Sequence, residues 1–478
     1  MVRGQRLADG AQGLTRCVAS FRSKCCLIGV SGASLSFAGF DHAPITLAPS
    51  PVDATLYDKA RVLCADFNVL VDRISRDESW LLEALRTAAD ADSFTGRLHA
   101  LLTKLRAQGA LRQRVRMGIL RSDYMQHGEG RSAELKQVEL NTISSSFGML
   151  SQRASELHEF LIKRMQLPGY ETARLPKNHT IDEIPLGLAT AHRVYIDQVN
   201  RGDARSAVVL MVVQEGERNV LDQRILELKL WEAHGVRLVR KSLGAIAAEG
   251  ALDKDGRLTL SDDLEASVVY FRAGYTPDDY QNEACWAARE LIERSMAIKC
   301  PDITYHLVGT KKVQQILSVP GVLERFVDSE QALSRLQQCF CRLYSLDSTD
   351  ADIGATIDRA LRDAGSYVLK PQREGGGNNL YDDDLVAALK SFPPHELEGF
   401  ILMDMIKAPT VQACIMRNGT AVTADAIFEL GIYGVVISDG LRVLHNRFAG
   451  HLLRTKEAAS KEAGVAAGFG SIDSPYLI

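Results

Sequence analysis

The sequence predicts an α/β and α+β composite fold, and three stretches carry that prediction. The first is a βαβ unit. "SAVVLMVV" (206–213) is a short continuous apolar run, as in a strand buried on both faces. The polar "QEGERN" follows, then the amphipathic helix "VLDQRILELKLWEAH" closed by Gly235, then a second strand, "VRLVRK" (236–241). The second stretch is a further strand, "ASVVYFR" (266–272), with the helical "NEACWAARELIERSMAIK" ending before Cys300-Pro301. The third is the C-terminal region, where strand-like runs at 366–370, 399–406 and 421–438 alternate with helical patterns. "APTVQACIMRNG" separates the last two runs, and its Asn418-Gly419 marks a hairpin turn. A parallel βαβ insert within partly antiparallel surroundings makes the composite.

In chain order, residues 57–120 read as helical. "DATLYDKARVLCADFNVLVDRIS" and "RLHALLTKLRAQGALRQRVRMGIL" both carry apolar residues at three- and four-residue steps. In "LKQVELNTISSSFGML" (135–150), the alternation of Val138 and Leu140 reads as a strand with Glu139 and Asn141 on its opposite face. After the insert, "GTKKVQQIL" places Thr310 at a helix N-cap and stops before Pro320. No internal repeat or low-complexity tract interrupts this order.

The chain has 478 residues, 46% hydrophobic and 24% charged, which suits two or three globular domains. A net charge of −4 gives no basic excess for nucleic acid. No run of 18 uncharged apolar residues is present, so no membrane span is expected. Nine scattered cysteines form no regular framework, which points to reduced thiols in an intracellular compartment, the cytoplasm unless residues 1–40 direct the chain to an organelle. Cys339-Phe-Cys341 lacks a second pair at zinc-site spacing and reads as ordinary thiols. The first 40 residues stand apart: Arg3, Arg6, Arg16, Arg22 and Lys24 face only Asp9. An organelle transit peptide and a disordered extension both have this composition.

Two segments could carry chemistry. "YVLKPQREGGGNNLY" (367–381) ends an apolar run in Lys370 and then offers Glu374 and three glycines. It matches neither the P-loop nor the dinucleotide pattern. Consecutive glycines still let a backbone approach a ligand closely and aim N–H groups at an anion. Lys370 would add positive charge, and Glu374 a hard oxygen for Mg²⁺. The loop fits a nucleoside triphosphate, and a glycine-rich surface turn fits it too. Upstream, Glu139 and Asn141 add two oxygen ligands, and Ser144, Ser145 and Ser146 add hydroxyl and N–H groups.

At these residues the chain resembles eukaryotic glutathione synthetase, an ATP-grasp ligase family. The matching blocks are "RSDYM" (121–125), "VELNTISSSFG" (138–148), "QEGERNVLDQR" (214–224) and "VVYFRAGY" (268–275). They continue with "KCPDITYHLVGTKKVQQ" (299–315), "LKPQREGGGNNLY" (369–381), "ELGIYGV" (429–435), "GHLLRTK" (450–456) and "GVAAG" (464–468). Each block alone is weak; their ordered set over roughly residues 45 to 478 is highly specific.

The resemblance implies ATP-dependent joining of γ-glutamylcysteine to glycine through an acyl phosphate. It implies an ATP-grasp body, 41–205 and 309–478, with an inserted parallel α/β substrate-binding domain at 206–308, and a homodimer. By the resemblance, Glu139, Asn141 and Glu374 would hold Mg²⁺, while Lys311 and Lys370 contact the ATP phosphates. Pro371, Gln372, Arg373, Gly375, Gly376, Gly377, Asn378, Asn379 and Tyr381 belong to the loop that closes over the nucleotide. Met403, Asp404, Met405 and Ile406 would line the adenine site, Glu429 would face the ribose, and Lys456 and Glu462 would complete the nucleotide contacts. Met405 stands where relatives can carry Lys, and Glu462 where Asp is frequent.

For the dipeptide, the resemblance points to Arg121 and Arg272 on carboxylates and Glu217 on the α-amine. Ile143, Ser144, Ser145, Ser146, Arg218, Asn219, Gln223, Ala273, Gly274 and Tyr275 surround it. Arg454, with Arg121, Lys311 and Lys370, would stabilise the phosphoryl group and the developing oxyanion. Val465 and Ala466 belong to a lid at the amine site. The paired small residues Ala466 and Ala467 favour glycine over β-alanine or serine, although one methylene discriminates by only ~1–3 kcal/mol. A non-catalytic nucleotide-binding module is the alternative from another class. Its sign would be loss of the metal ligands or phosphate lysines, and all of these are present.

Overall fold

Helix Ala54–Arg76 is the first long element of this computed structural model, which describes residues 27–29, 40–200, 206–461, 464–465 and 470–478. Asp53 caps the helix by accepting from the N–H groups of Thr55 (2.7 Å) and Leu56 (3.0 Å). Leu56, Ala60, Leu63, Phe67, Leu70 and Ile74 form one buried face at helical spacing, against the body's long strands. Helices Glu78–Ala84, Arg86–Ala91 and Ser93–Ala107 follow.

Helix does not extend to residue 120. Val115–His127 is a 13-residue strand. Its "VRMGI" start alternates buried Val115, Met117 and Ile119 with Arg116, and Arg116 pairs with Glu78 and Asp302. The strand is clamped between Thr420–Asp439 and Glu134–Asn141 in a seven-stranded, mainly antiparallel sheet. Long-range ladder bonds on both edges outweigh the weak local helical pattern.

Residues 207–300 build a six-stranded mixed sheet. Ala207–Val212 lies parallel to both Leu238–Lys241 and Leu264–Phe271, and Leu264–Phe271 also pairs in parallel with Ile298–Cys300. Helix Val220–His234 makes the first crossover and ends on Gly235 at φ +66°, a left-handed cap that glycine adopts without strain. The βαβ reading thus holds in order and direction.

A third, three-stranded antiparallel sheet places Phe400–Asp404 between Leu343–Ser345 and Tyr367–Pro371. Leu346, Leu369, Leu385, Leu397 and Leu402 form its own small core with the flanking helices. The segment before Asn418-Gly419 is itself a strand, Val411–Arg417, paired with Thr420–Asp439 across that turn. Both turn residues have positive φ, +50° and +75°, as a tight two-residue hairpin requires.

No helix among the described residues is long and apolar enough to cross a membrane. Leu27–Gly29 and Phe40–His42 pair antiparallel. Most of the 40-residue N-terminal extension lies outside the described residues.

Candidate functional site

The three large sheets converge on a cavity of about 590 Å³. The body contributes the facing ends of strands Val115–His127, Glu134–Asn141, Thr420–Asp439 and Arg442–Glu457. The smaller sheet contributes Val368, Lys370 and Met403 to Ile406. The 207–300 sheet contributes Gln214, Gly216 to Asn219, Arg272 and Tyr275. These last residues follow the carboxyl ends of two neighbouring parallel strands, where open α/β sheets place ligands.

One end of the cavity is a charge cluster. Lys311 Nζ lies 3.1 Å from Glu139 Oε2 and 3.0 Å from Glu374 Oε1, so two carboxylates far apart in sequence meet at one ammonium. Lys370 Nζ donates to the Val138 carbonyl at 2.8 Å, beside the same pair. Burial works against the charge on Glu139, but Lys311, Lys370, Arg454 and Arg121 outweigh it and hold this carboxyl far below its ordinary range. Burial pushes Glu374 upward, opposed by Lys311 and helped by the charge on Glu139. Burial also opposes the charge on Lys311, yet the two carboxylates raise it. The Lys311–Glu374 contact therefore raises the lysine and lowers the acid; Glu374 still lies above its ordinary range because burial and the neighbouring charge on Glu139 outweigh that contact. Among the described residues Lys370 forms no ion pair, and burial lowers it.

Two arginines stand beside this cluster, organised by Asp123. Its carboxylate, fully buried, accepts from Arg121 Nε at 2.7 Å and Nη2 at 2.9 Å, from Arg454 Nη2 at 2.8 Å and from Asn141 Nδ2 at 3.0 Å. Arg454 also contacts Glu429, while its Nε is buried without a hydrogen-bond partner among the described residues. Asn141 Nδ2 also donates to the Arg121 carbonyl, so its oxygen is the atom available to a ligand.

On the insert side, Asp222 Oδ2 pairs with Arg272 Nη1 at 3.1 Å. The same carboxylate accepts from the backbone N–H groups of Phe147, Met149 and Leu150 at the start of helix Gly148–Met165. Arg272 is thereby fixed to the segment that carries Ser144 to Ser146. Glu217 accepts from Asn219 N (2.7 Å) and Gln223 Nε2 (2.6 Å). Both polar atoms of the Asn219 side chain are buried with no hydrogen-bond partner among the described residues.

A family model, the eukaryotic glutathione synthase ATP-binding domain, matches residues 10–477. The chain belongs to the eukaryotic glutathione synthase family. Glutathione synthetase of Dictyostelium discoideum is 44% identical over 445 residues, 91% of each chain. That of Bos taurus is 41% identical over 456 residues, 95% of this chain and 94% of that one. The chloroplastic enzyme of Solanum lycopersicum is 41% identical, covering 91% of this chain and 78% of that one. This member of the family is an ATP-dependent ligase of glutathione synthesis. A glutathione synthetase-like effector from Globodera pallida superposes with a TM-score of 0.73 at 22% identity, over 94% of this chain and 93% of that one. The shared fold is the ATP-grasp-type composite.

Within this synthase, most residues singled out from the sequence reach the cavity wall. They include Arg121, Glu139, Asn141, Ile143 to Ser146, Glu217 to Asn219, Arg272, Tyr275, Lys370 and Glu374 to Gly376. Asn379, Tyr381, Met403 to Ile406, Glu429, Arg454, Lys456 and Val465 also line it. Lys311 touches the wall carboxylates from behind, and Gln223 lies behind Glu217. Pro371, Gln372, Arg373, Gly377, Asn378, Ala273 and Gly274 do not line the cavity. Gln372 accepts from the Lys312 N–H, Arg373 pairs with Asp92, and Gly274 N donates to Asp279. Glu462 and Ala466 lie outside the described residues. Asp123, Asp222 and the cavity-lining Lys461 were not among the sequence candidates. Asp123 and Asp222 had one available signal each, their places in "RSDYM" two residues from Arg121 and in "QEGERNVLDQR" beside Gln223; Lys461 had none.

Proposed function

We propose that this cavity joins γ-glutamylcysteine to glycine by way of a cysteinyl acyl phosphate formed from ATP. The observation that carries the reading is the meeting of Glu139, Glu374 and Lys370 with Arg121 and Arg454 in one cavity, with Lys311 behind the two carboxylates, that also opens onto Arg272, Glu217 and Asn219. A carboxylate is a poor electrophile, because its leaving group would be oxide. Its oxygen attacks the γ-phosphorus and ADP leaves. The glycine amine then attacks the activated carbonyl, the carbonyl carbon–oxygen bond to phosphate breaks, and the amine sheds a proton.

The protein's task is charge neutralisation, alignment and exclusion of water. Lys370 and Lys311 face the phosphate end as point charges. Arg454 and Arg121, both bound by Asp123, take the transferring phosphoryl group and the developing oxyanion. Arg272 receives a dipeptide carboxylate, Glu217 its α-amine, and Asn219 its polar backbone. Val368, Met403, Met405, Ile406 and Ile427 provide the apolar wall for adenine. Val465 stands at the amine side.

The donor set suits Mg²⁺: two carboxylates and one amide oxygen, all hard, too few for a closed protein cage and right for an ion completed by phosphates. Among the described residues no group of three His, Cys, Asp or Glu side chains could hold a metal without such help. Glu139, Asn141 and Glu374 would hold the ion, which when bound neutralises phosphate charge.

Purified protein supplied with Mg²⁺, ATP, γ-glutamylcysteine and glycine is expected to yield glutathione and ADP in equal amounts. Phosphate release without either amino substrate, or no tripeptide, would sink the reading. Competing β-alanine and serine in that assay should lose to glycine. We also assign the protein to the cytoplasm as a homodimer. Sedimentation velocity at twice the chain mass checks the dimer, and an intact Met1 in the native protein would exclude a cleaved transit peptide.

A further inference from the structure

The glycine-rich loop is rooted more firmly than its composition implies. Leu369 and Leu380 exchange both backbone hydrogen bonds, at 3.0 and 2.9 Å, so residues 370–379 form a closed excursion from one narrow neck. At its tip Gly375 and Gly377 have φ of +86° and +92°, and a Cβ at either would meet nothing within 4 Å. The tip is open and conformationally permissive. The root differs. Gln372 N donates to the Gly399 carbonyl (3.2 Å), and Gln372 Oε1 accepts from the Lys312 backbone N–H (3.1 Å). The next side chain, Arg373, turns out of the cavity and forms an ion pair with Asp92 Oδ2. Asp92 is the N-cap of helix Ser93–Ala107, its Oδ1 accepting from Thr95 N at 2.8 Å. One carboxylate thus caps a body helix with one oxygen and ties down the loop with the other. Glu374, the following residue, points the opposite way, to Lys311.

We propose that Arg373 and Asp92 are positioning residues: their ion pair fixes the loop root so that the Glu374 carboxylate is delivered beside Glu139, while the glycines beyond remain free to move. This rests on the reading of Glu374 as a metal carboxylate. It assigns Arg373 a role other than phosphate contact, and it gives Asp92, remote in sequence and outside the cavity, a part in metal affinity.

The two roles of Arg373 separate experimentally. The full-length variants are Arg373→Met, which keeps the apolar stem, and Asp92→Asn, whose amide oxygen still caps the helix. Binding of Mn²⁺ in the presence of ADP is followed by electron paramagnetic resonance of the free ion, with thermal unfolding as the check on folding. Both variants should bind Mn²⁺ about tenfold more weakly, the usual effect of losing a group that orients a metal ligand. The double variant should be no worse than either single one, and the KM for γ-glutamylcysteine should not move. An unchanged Mn²⁺ affinity in Asp92→Asn overturns the proposal, whatever Arg373→Met does, because direct phosphate contact by Arg373 would not involve Asp92. Effects that multiply in the double variant overturn it too. Glu374→Gln serves as the reference. If it loses Mn²⁺ and Asp92→Asn does not, only the positioning role fails. If Glu374→Gln binds Mn²⁺ normally, the metal reading of Glu374 fails and takes this route with it.

Discussion

Lys311 shows how much a single side chain organises here. It is buried, it touches Glu139 and Glu374 at once, and both contacts disappear only if the cluster is dismantled. Glu374→Ala removes one carboxylate but leaves Lys311 paired with Glu139, so no buried charge is orphaned. Turnover should fall by about 100-fold or more with the fold intact; steady-state kinetics and circular dichroism check this, and retained activity would remove Glu374 from the metal site. Arg272→Ala has a different signature. Asp222 keeps its three backbone donors on helix Gly148–Met165, so the local structure survives, while a dipeptide carboxylate loses its partner. The KM for γ-glutamylcysteine should rise at least about tenfold before that for ATP changes, a cost of about 1.4 kcal/mol. Equal effects on both substrates would contradict the role.

At the scale of elements, the site depends on close approaches between segments. Thr142 follows the strand that carries Glu139 and Asn141, and Gly309 precedes Lys311 by two residues. A Cβ on Gly309 would sit 2.3 Å from Thr142 Oγ1. Gly309→Ala should therefore destabilise the protein by about 1–3 kcal/mol, as overpacking does, and weaken ATP binding by displacing Lys311. Adding Thr142→Ala should restore much of both, measured by urea unfolding and ATP titration. Such contacts also explain what the sequence made legible. Glu139, Asn141 and Lys370 to Tyr381 could be read because each sits in a short segment whose spacing carries meaning. Asp123 and Asp222 escaped, since a buried hub carboxylate is defined by donors from distant segments. Strand Val115–His127 escaped because "VRMGIL" satisfies two periodicities at once, and only its neighbours on both sides decide. Val411–Arg417 was hidden for the same reason: its pairing partner lies beyond the turn that marked its end.

Across the whole molecule, burial of neutral histidines links stability to pH. Burial, with a smaller contribution from His179, pushes fully buried His451 down to about 3, and burial also lowers His158, His192 and His306. The unfolded chain binds a proton on His451 near its ordinary value of about 6.5, well before the folded chain does. Stability is then complete above that value and is lost as pH falls toward 3, by up to about 1.4 kcal/mol per pH unit from this group. His451→Gln should flatten the decline of the urea midpoint between those limits; an unchanged slope would contradict the assignment. The same three-sheet arrangement that buries these groups brings the nucleotide side and the dipeptide side to one cavity, which is the claim on which everything else depends. Its most direct test uses γ-glutamylcysteine carrying ¹⁸O in the cysteinyl carboxylate, turned over with ATP and glycine. An acyl phosphate requires one ¹⁸O to appear in the released phosphate as glutathione forms. Phosphate released without the label would contradict the account.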